Sequence, residues 1–188
     1  MKNQLICISI ALLTLVACKQ SEAVEESESP DYAAFDKKVE AISSFYQAHC
    51  DEDLEALRAM VSDTMTWNPP YYSDNTLLGK EDYLTALKGY HDAYENIKYT
   101  AGIVTPDSII NGFWSGSVFP KETANSDPSV VRVYGTWTAT HTESGKDIGV
   151  KFFSLVTINE DGKLVTASDY WDVNGLAVQI AAETEEEE

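Results

Sequence analysis

The chain has 188 residues, 44% of them apolar and 11% aromatic, with 31 Asp and Glu against 13 Lys and Arg for a net charge of -18. That is the length of one ordinary globular domain with tails. Such an excess of negative charge repels phosphate backbones and anionic headgroups, which argues against nucleic acid as a partner and against membrane docking through a basic patch.

In chain order, Lys2 is followed by an apolar run of 13 residues, Leu5 to Ala17, broken only by Ser9 and Thr14. The run is short for a membrane span and has the pattern of an export signal, residues 1–17. It closes in Leu15-Val16-Ala17-Cys18, which resembles the bacterial lipobox and implies a lipidated Cys18. An ordinary signal cleaved near Ala17, with Cys18 incidental, is the alternative. Two or more acyl chains on one cysteine would hold the protein at a membrane without any basic patch. Lys19 rather than Asp after the cysteine resembles outer-membrane sorting in Gram-negative cells, so the expected location is the bacterial envelope, anchored on the periplasmic side or at the surface. Residues 18–30 carry no aromatic side chain and read as an acidic tether. Residues 183–188 hold five glutamates in six positions and read as an acidic tail. The folded domain is expected over 31–182.

Asp31 can cap a first helix on which Phe35, Val39, Ile42, Tyr46 and His49 share a face, ending near Cys50. Asp51 is expected to cap a second helix with Leu54, Leu57 and Val61 inward, before a strand at Met65-Thr66-Trp67 and a break at Pro69-Pro70. Gly79-Lys80-Glu81 opens a third helix, with Tyr83, Leu84, Leu87, His91 and Tyr94 on one face, ending near Asn96. Ile97 to Thr105, Ser129 to Thr142, Ile148 to Ile158 and Leu164 to Val173 are rich in Val, Ile, Thr and aromatics and read as strands. The turn sequences at Glu143-Ser144-Gly145-Lys146 and Asn159-Glu160-Asp161-Gly162 make the last three an antiparallel meander, and 106–128 reads as a long loop. Helices followed by a run of strands predict an α+β fold with helices against one face of a curved antiparallel sheet.

Zinc, zincin, dinucleotide and nucleophile-elbow motifs are absent from the sequence, and its three histidines are scattered, so neither a metal site nor a cofactor is indicated. With Cys7 in the signal and Cys18 lipidated, Cys50 has no disulfide partner. His49 and Cys50 do not face each other on a helix, which favours a buried inert thiol over a nucleophilic pair.

Phe45-Tyr46-Gln47-Ala48, Asp53-Leu54-Glu55-Ala56-Leu57, Asp63-Thr64-Met65-Thr66-Trp67-Asn68-Pro69, Gly79-Lys80-Glu81 and Gly162-Lys163-Leu164-Val165, in that order, resemble the SnoaL-like branch of the nuclear transport factor 2-like superfamily over about residues 34–176. The resemblance implies a cone: a bent sheet wrapped around a long helix, with an apolar pocket at the open end. The superfamily holds ketosteroid isomerases, polyketide cyclases, epoxide hydrolases and non-catalytic binders, so the fold does not settle the function. Where the isomerases carry a basic Asp before the proline this chain has Asn68, and where they carry a protonated Asp it has Ser154; their helix tyrosine corresponds to Tyr46. An amide cannot abstract a proton, so isomerase chemistry loses its support. Of the residues with which the epoxide hydrolases hold their water, Asn68 and Asp169 match and Thr66 replaces Tyr, while Phe152 and Ser154 stand in place of Arg and the second Asp.

The same register turns Trp137, Ala139 and His141, then Val150, Phe152, Ser154 and Val156, then Ala167, Asp169 and Trp171 into the cone. Asp169 among aromatic rings would be desolvated and available as a base near neutrality; alternatively it staples the strand by bonding Asn68, Tyr46 or a backbone donor. Asn68 and His141 are candidate helpers in catalysis. Tyr46, Trp67, His91, Trp137, Phe152, Ser154 and Trp171 are candidate ligand contacts. His91 and His141 read equally as ordinary hydrogen-bonded histidines. The leading expectation is a lipid-anchored domain binding a small, mostly apolar or aromatic molecule, catalysis undecided. The alternatives are a hydrolase or lyase with Asp169 as base, and a non-catalytic interaction domain that pairs as a homodimer.

Overall fold

The computed structural model describes residues 32–116 and 130–182. The export-signal segment, Cys18, the tether, Asp31 and the acidic tail lie outside the described residues. Among the described residues no helix is long and apolar enough to cross a membrane.

The first helix, α1, runs Ala33–Cys50 and buries Phe35, Ile42, Phe45, Tyr46 and His49 along one side, as 3.6-residue spacing requires. The second helix, α2, is Leu54–Met60, and its cap is Asp53, whose Oδ1 accepts the Ala56 N–H at 2.9 Å. Asp51 instead closes α1, and Glu52, at φ 56°, turns the chain between the two helices. Val61, expected on α2, opens β1 (Val61–Asn68) and is fully buried. Helix α3 is Lys80–Ala93, and Tyr94 already belongs to β2 (Tyr94–Ala101). The helix thus stops short of Asn96, which sits at φ 55° inside a bulge of that strand.

The strand expected to continue to Thr105 breaks at Gly102, whose φ of +116° suits glycine alone. Short strands β3 (Ile103–Val104) and β4 (Ile109–Ile110) pair with each other, and β5 (Phe113–Ser115) joins β6. Part of the segment expected as a long loop is therefore strand, and 117–129 falls outside the described residues. The remaining strands are β6 (Val131–His141), β7 (Asp147–Ile158) and β8 (Leu164–Tyr170), an antiparallel meander as expected. After β8 the chain forms helix α4 (Val173–Ala181), where a strand was expected to reach Val173. Asp172 caps it, accepting the Gly175 N–H at 2.9 Å.

The sheet order is β1-β8-β7-β6-β2, with β5 also beside β6. It is curved and unclosed, and it is mixed: β1 lies parallel to β8, while the other pairings are antiparallel. Helices α1 and α3 fill the concave side, burying Ile42, Leu84, Val131 and Val133 between layers. Each such side chain contributes about 1.5–3 kcal/mol by leaving water. Helix α4 packs against β7, held by Gln179, whose side-chain amide exchanges bonds of 2.9 and 3.0 Å with the Gly149 backbone. The Lys146 ammonium donates to the Ile180 and Ala182 carbonyls at its C-terminus.

Candidate functional site

Two layers of aromatic side chains, one from the helices and one from the sheet, leave between them a partly open cavity of about 100 Å³. Helix α1 contributes Phe45, Tyr46 and His49, and α3 contributes Tyr83, Leu87 and Tyr90. The sheet contributes Trp67, Ile97, Trp137, Val150, Phe152 and Asp169, and Trp171 and, from α4, Leu176 add to the lining. The wall is almost entirely apolar. Tyr99 crosses Gly135, where any side chain would collide with its ring, and so reaches Tyr46 and Trp137 at ring separations of 4.6 Å each. This cluster fixes the rings that form the wall.

At the cavity wall Asp169, 8% exposed, accepts the Trp67 indole N–H at 2.8 Å and the Ser154 hydroxyl at 2.7 Å. Burial raises its pKa from the ordinary 3.8 to about 6, while the two donated bonds hold the anion back from a larger rise. Tyr46 and Tyr83 are pushed well above the ordinary phenol value, first by burial; neighbouring Tyr99 is the next cause for Tyr46, and Asp169 adds to both. Neither hydroxyl bonds another group among the described residues, yet no fully buried polar side-chain atom there lacks a partner. Both hydroxyls therefore keep open space beside them, as neutral donors on residues that line the cavity together with Asp169, whose pKa is pushed up to about 6.

A second polar feature lies on α1. The His49 Nδ1 is 2.8 Å from Nε2 of His91 on α3. Burial, reinforced by His91, lowers the His49 pKa to about 3, so its imidazole is neutral. His91 is lowered too, chiefly by burial, with Glu52 opposing.

Of the residues singled out from sequence, Tyr46, Trp67, Trp137, Phe152, Asp169 and Trp171 come together at the cavity, and Ser154 supports Asp169 from behind it. His91 stands behind His49 and is not part of the lining. Asn68 is a correction: strand alternation that turns Trp67 inward turns Asn68 to the other face, where its amide donates to Ser168 Oγ at 2.9 Å. His141 is another, since it sits at the end of β6 beside the turn, 2.8 Å from Ser144 Oγ and against the Tyr94 ring, clear of the lining. Asp169 is stapled, but by Trp67 and Ser154 and not by Asn68, Tyr46 or a backbone donor. Sequence reading overlooked His49, Tyr83 and Tyr90 as cavity residues; the signal was their place on the apolar faces of α1 and α3. Among the described residues no group of three or more metal-binding side chains occurs.

A curved sheet backed by helices around an aromatic cavity defines a cone-shaped α+β class. No family model matches the sequence, and no curated protein matches it either. Solved structures do match. One is an epoxide hydrolase/cyclase-like enzyme of pyran ring formation in the polyether salinomycin, at 13% identity and a TM-score of 0.54, covering 75% of this chain and 95% of that one. An LEH-like epoxide hydrolase of M. tuberculosis matches at 12% identity and a TM-score of 0.52, covering 77% and 90%. An NTF2-like protein of unknown function from Burkholderia pseudomallei matches at 16% identity and a TM-score of 0.54, covering 78% and 98%. At these identities the likeness is one of fold: the chain folds as a nuclear transport factor 2-like (NTF2-like) domain.

Proposed function

We propose that this is a lipid-anchored envelope protein whose cone binds a small, mostly apolar or aromatic molecule. The observation that carries the reading is the aromatic cavity with one carboxyl, Asp169, and two free hydroxyls, Tyr46 and Tyr83, on its wall. An apolar wall supplies affinity through desolvation, and a few fixed polar groups set orientation. Solved structures of the same fold include enzymes of small-molecule chemistry, an epoxide hydrolase/cyclase-like one among them. Anchoring rests on the Leu15-Val16-Ala17-Cys18 sequence, and replacing Cys18 by Ala is expected to move the protein out of the membrane fraction.

Native mass spectrometry of the full chain, purified in detergent from its own host, tests the binding reading. Extra mass that is lost in Asp169→Asn or Trp137→Ala supports it. A bare protein mass in all three forms counts against it. The same spectrum reads out the homodimer expectation.

A second reading is favoured by the Asp169 pKa of about 6. A carboxylate poised near neutrality can take a proton from a ligand C–H or from an attacking water, as in a lyase or hydrolase, and return it as the neutral acid. Returning the released molecule to fresh protein separates the two readings. A change in its mass that Asp169→Asn fails to produce is chemistry; an unchanged mass is binding alone.

A further inference from the structure

The His49–His91 pair is not used by the proposal above, and its geometry gives it a role in the same cavity. His49 Nδ1 is occupied by His91 Nε2 at 2.8 Å. Its other ring nitrogen, Nε2, bonds no group among the described residues, although no fully buried polar side-chain atom there is left without a partner. His49 is only 8% exposed and its ring borders the cavity, so Nε2 is not sealed in and the cavity is the open space beside it. The ring is fixed edge-on against Trp137 and Tyr90, at centroid separations of 5.1 and 6.4 Å. Tyr46 lies three residues earlier on the same face of α1, so the tyrosine end and the imidazole end are about one helical turn apart, ~5 Å along the axis. Asp169 is bonded to Trp67 and Ser154 on the sheet, whereas the His49 ring packs on Tyr90, His91 and Trp137, so the two polar groups share no contact residue.

We propose that His49, oriented by His91, is a second polar contact of the cavity and selects apolar or aromatic ligands that carry a hydroxyl at the end remote from Asp169. The inference rests on the binding reading above. His49 has two neutral tautomers, set by which nitrogen of the pair carries the shared proton. With the proton on His49 Nδ1, donated to His91, Nε2 presents a lone pair to the cavity. With it on His91 Nε2, the His49 Nε2–H points into the cavity instead. A hydroxyl both gives and accepts a hydrogen bond and fits either tautomer, whereas a carbonyl fits one and a hydrocarbon fits neither. His91 touches no ligand in this scheme and is a positioning residue; it is half-buried, with Glu52, Asp92 and Lys88 around it.

The test uses the full chain in detergent and two probes of nearly equal size, acetophenone and 4-hydroxyacetophenone, by calorimetry. In both, the carbonyl accepts from the Tyr46 and Tyr83 hydroxyls, so that the para position is the end that meets His49. The hydroxylated probe is expected to bind about tenfold tighter, ~1.4 kcal/mol. In His49→Phe the ratio of the two affinities is expected to fall to about one. Nitrogen-15 spectra of the wild type give a readout that a merely structural histidine would not move: the hydroxylated probe shifts His49 Nε2 and acetophenone does not. Equal affinities, a ratio that survives His49→Phe, or a His49 resonance unmoved by the hydroxylated probe overturns the inference. If acetophenone binds and the hydroxyl gives no gain, this inference alone fails. If neither probe binds, the cavity-binding reading fails with it. Should His49→Phe not fold, the nitrogen shift in the wild type decides.

Discussion

Asp169 on β8 and His49 on α1 face one cavity and are equally buried, at 8% exposure each, yet burial drives them in opposite directions: the carboxyl up to about 6, the imidazole down to about 3. Both shifts favour the neutral form, as desolvation must. The difference lies in the partners. Asp169 receives an indole N–H and a hydroxyl, which stabilise its anion, whereas His49 meets another imidazole, which opposes its cation. The sheet side can therefore change charge near neutral pH and the helix side stays neutral. Partners, more than depth, decide which buried group can carry charge.

The largest effect is expected where the sheet side is dismantled. Trp67→Ala removes a ring packed 5.0 Å from Tyr83 and the donor to Asp169, for a loss of about 3–5 kcal/mol in urea unfolding. Trp67→Phe keeps most of the ring and removes only the N–H, for about 1–3 kcal/mol at pH 7. That second loss should shrink at pH 4, where Asp169 is protonated and needs its donors less. A loss independent of pH would mean that the bond does not serve the charged form.

The next effect separates the two sides by sign. Asp169 binds its proton more tightly folded than unfolded, so its contribution to stability is full below about pH 4 and is lost as pH rises through 6, by about 3 kcal/mol. His49 binds its proton more weakly folded, so its contribution is full above about 6.5 and is lost as pH falls towards 3, at about 1.4 kcal/mol per pH unit. Between pH 4 and 6 the two nearly cancel in the wild type. Relative to it, Asp169→Asn should lose about 2 kcal/mol on acidification from 6 to 4, and His49→Phe should gain about as much. Denaturant midpoints at pH 4, 5 and 6 check this; slopes of the same sign in both variants would mean that the two groups do not shift in opposite directions.

The two sides were not equally legible in the sequence. A strand alternates with period two, so turning Trp137, Phe152 and Trp171 inward also turns Asp169 inward, and the resemblance supplied the curvature that brings these strands around one space. The histidine pair lies 42 residues apart on two helices, and only their docking sets the 2.8 Å contact. Periodicity names the face on which His49 and His91 each lie, but not which residue of another helix meets it. Helix α4 escaped for a different reason. Gly175 in its first turn argues against a helix, and the helix is fixed by contacts at a distance, from Gln179 to Gly149 and from Lys146 to its last carbonyls.

A smaller change at Ser154 is expected to move the Asp169 pKa itself. Ser154→Ala removes one donor and leaves a packed methyl, for about 1–2 kcal/mol at pH 7. The pKa of Asp169, followed by carbon-13 NMR of its carboxyl, should rise further above 6, because one of the two bonds that hold it down is gone. An unchanged value would assign the restraint to Trp67 alone.

The smallest effect is expected at Asn68, and it tests which face of β1 belongs to the site. Asn68 pairs with Ser168 outside the cone, one residue from Trp67 and one from Asp169 in their respective strands. If the side chains alternate as the sheet requires, Asn68→Ala loses one part-buried bond, about 0.5–1.5 kcal/mol. It should leave unchanged both the Asp169 pKa and the affinity for acetophenone, since the edit never reaches the cavity wall. The Trp67 edits, one residue away, are expected to change both. An Asn68→Ala variant that altered either would mean that β1 carries its site on the outward face as well, and that the water-holding role implied by resemblance for Asn68 has a structural basis after all.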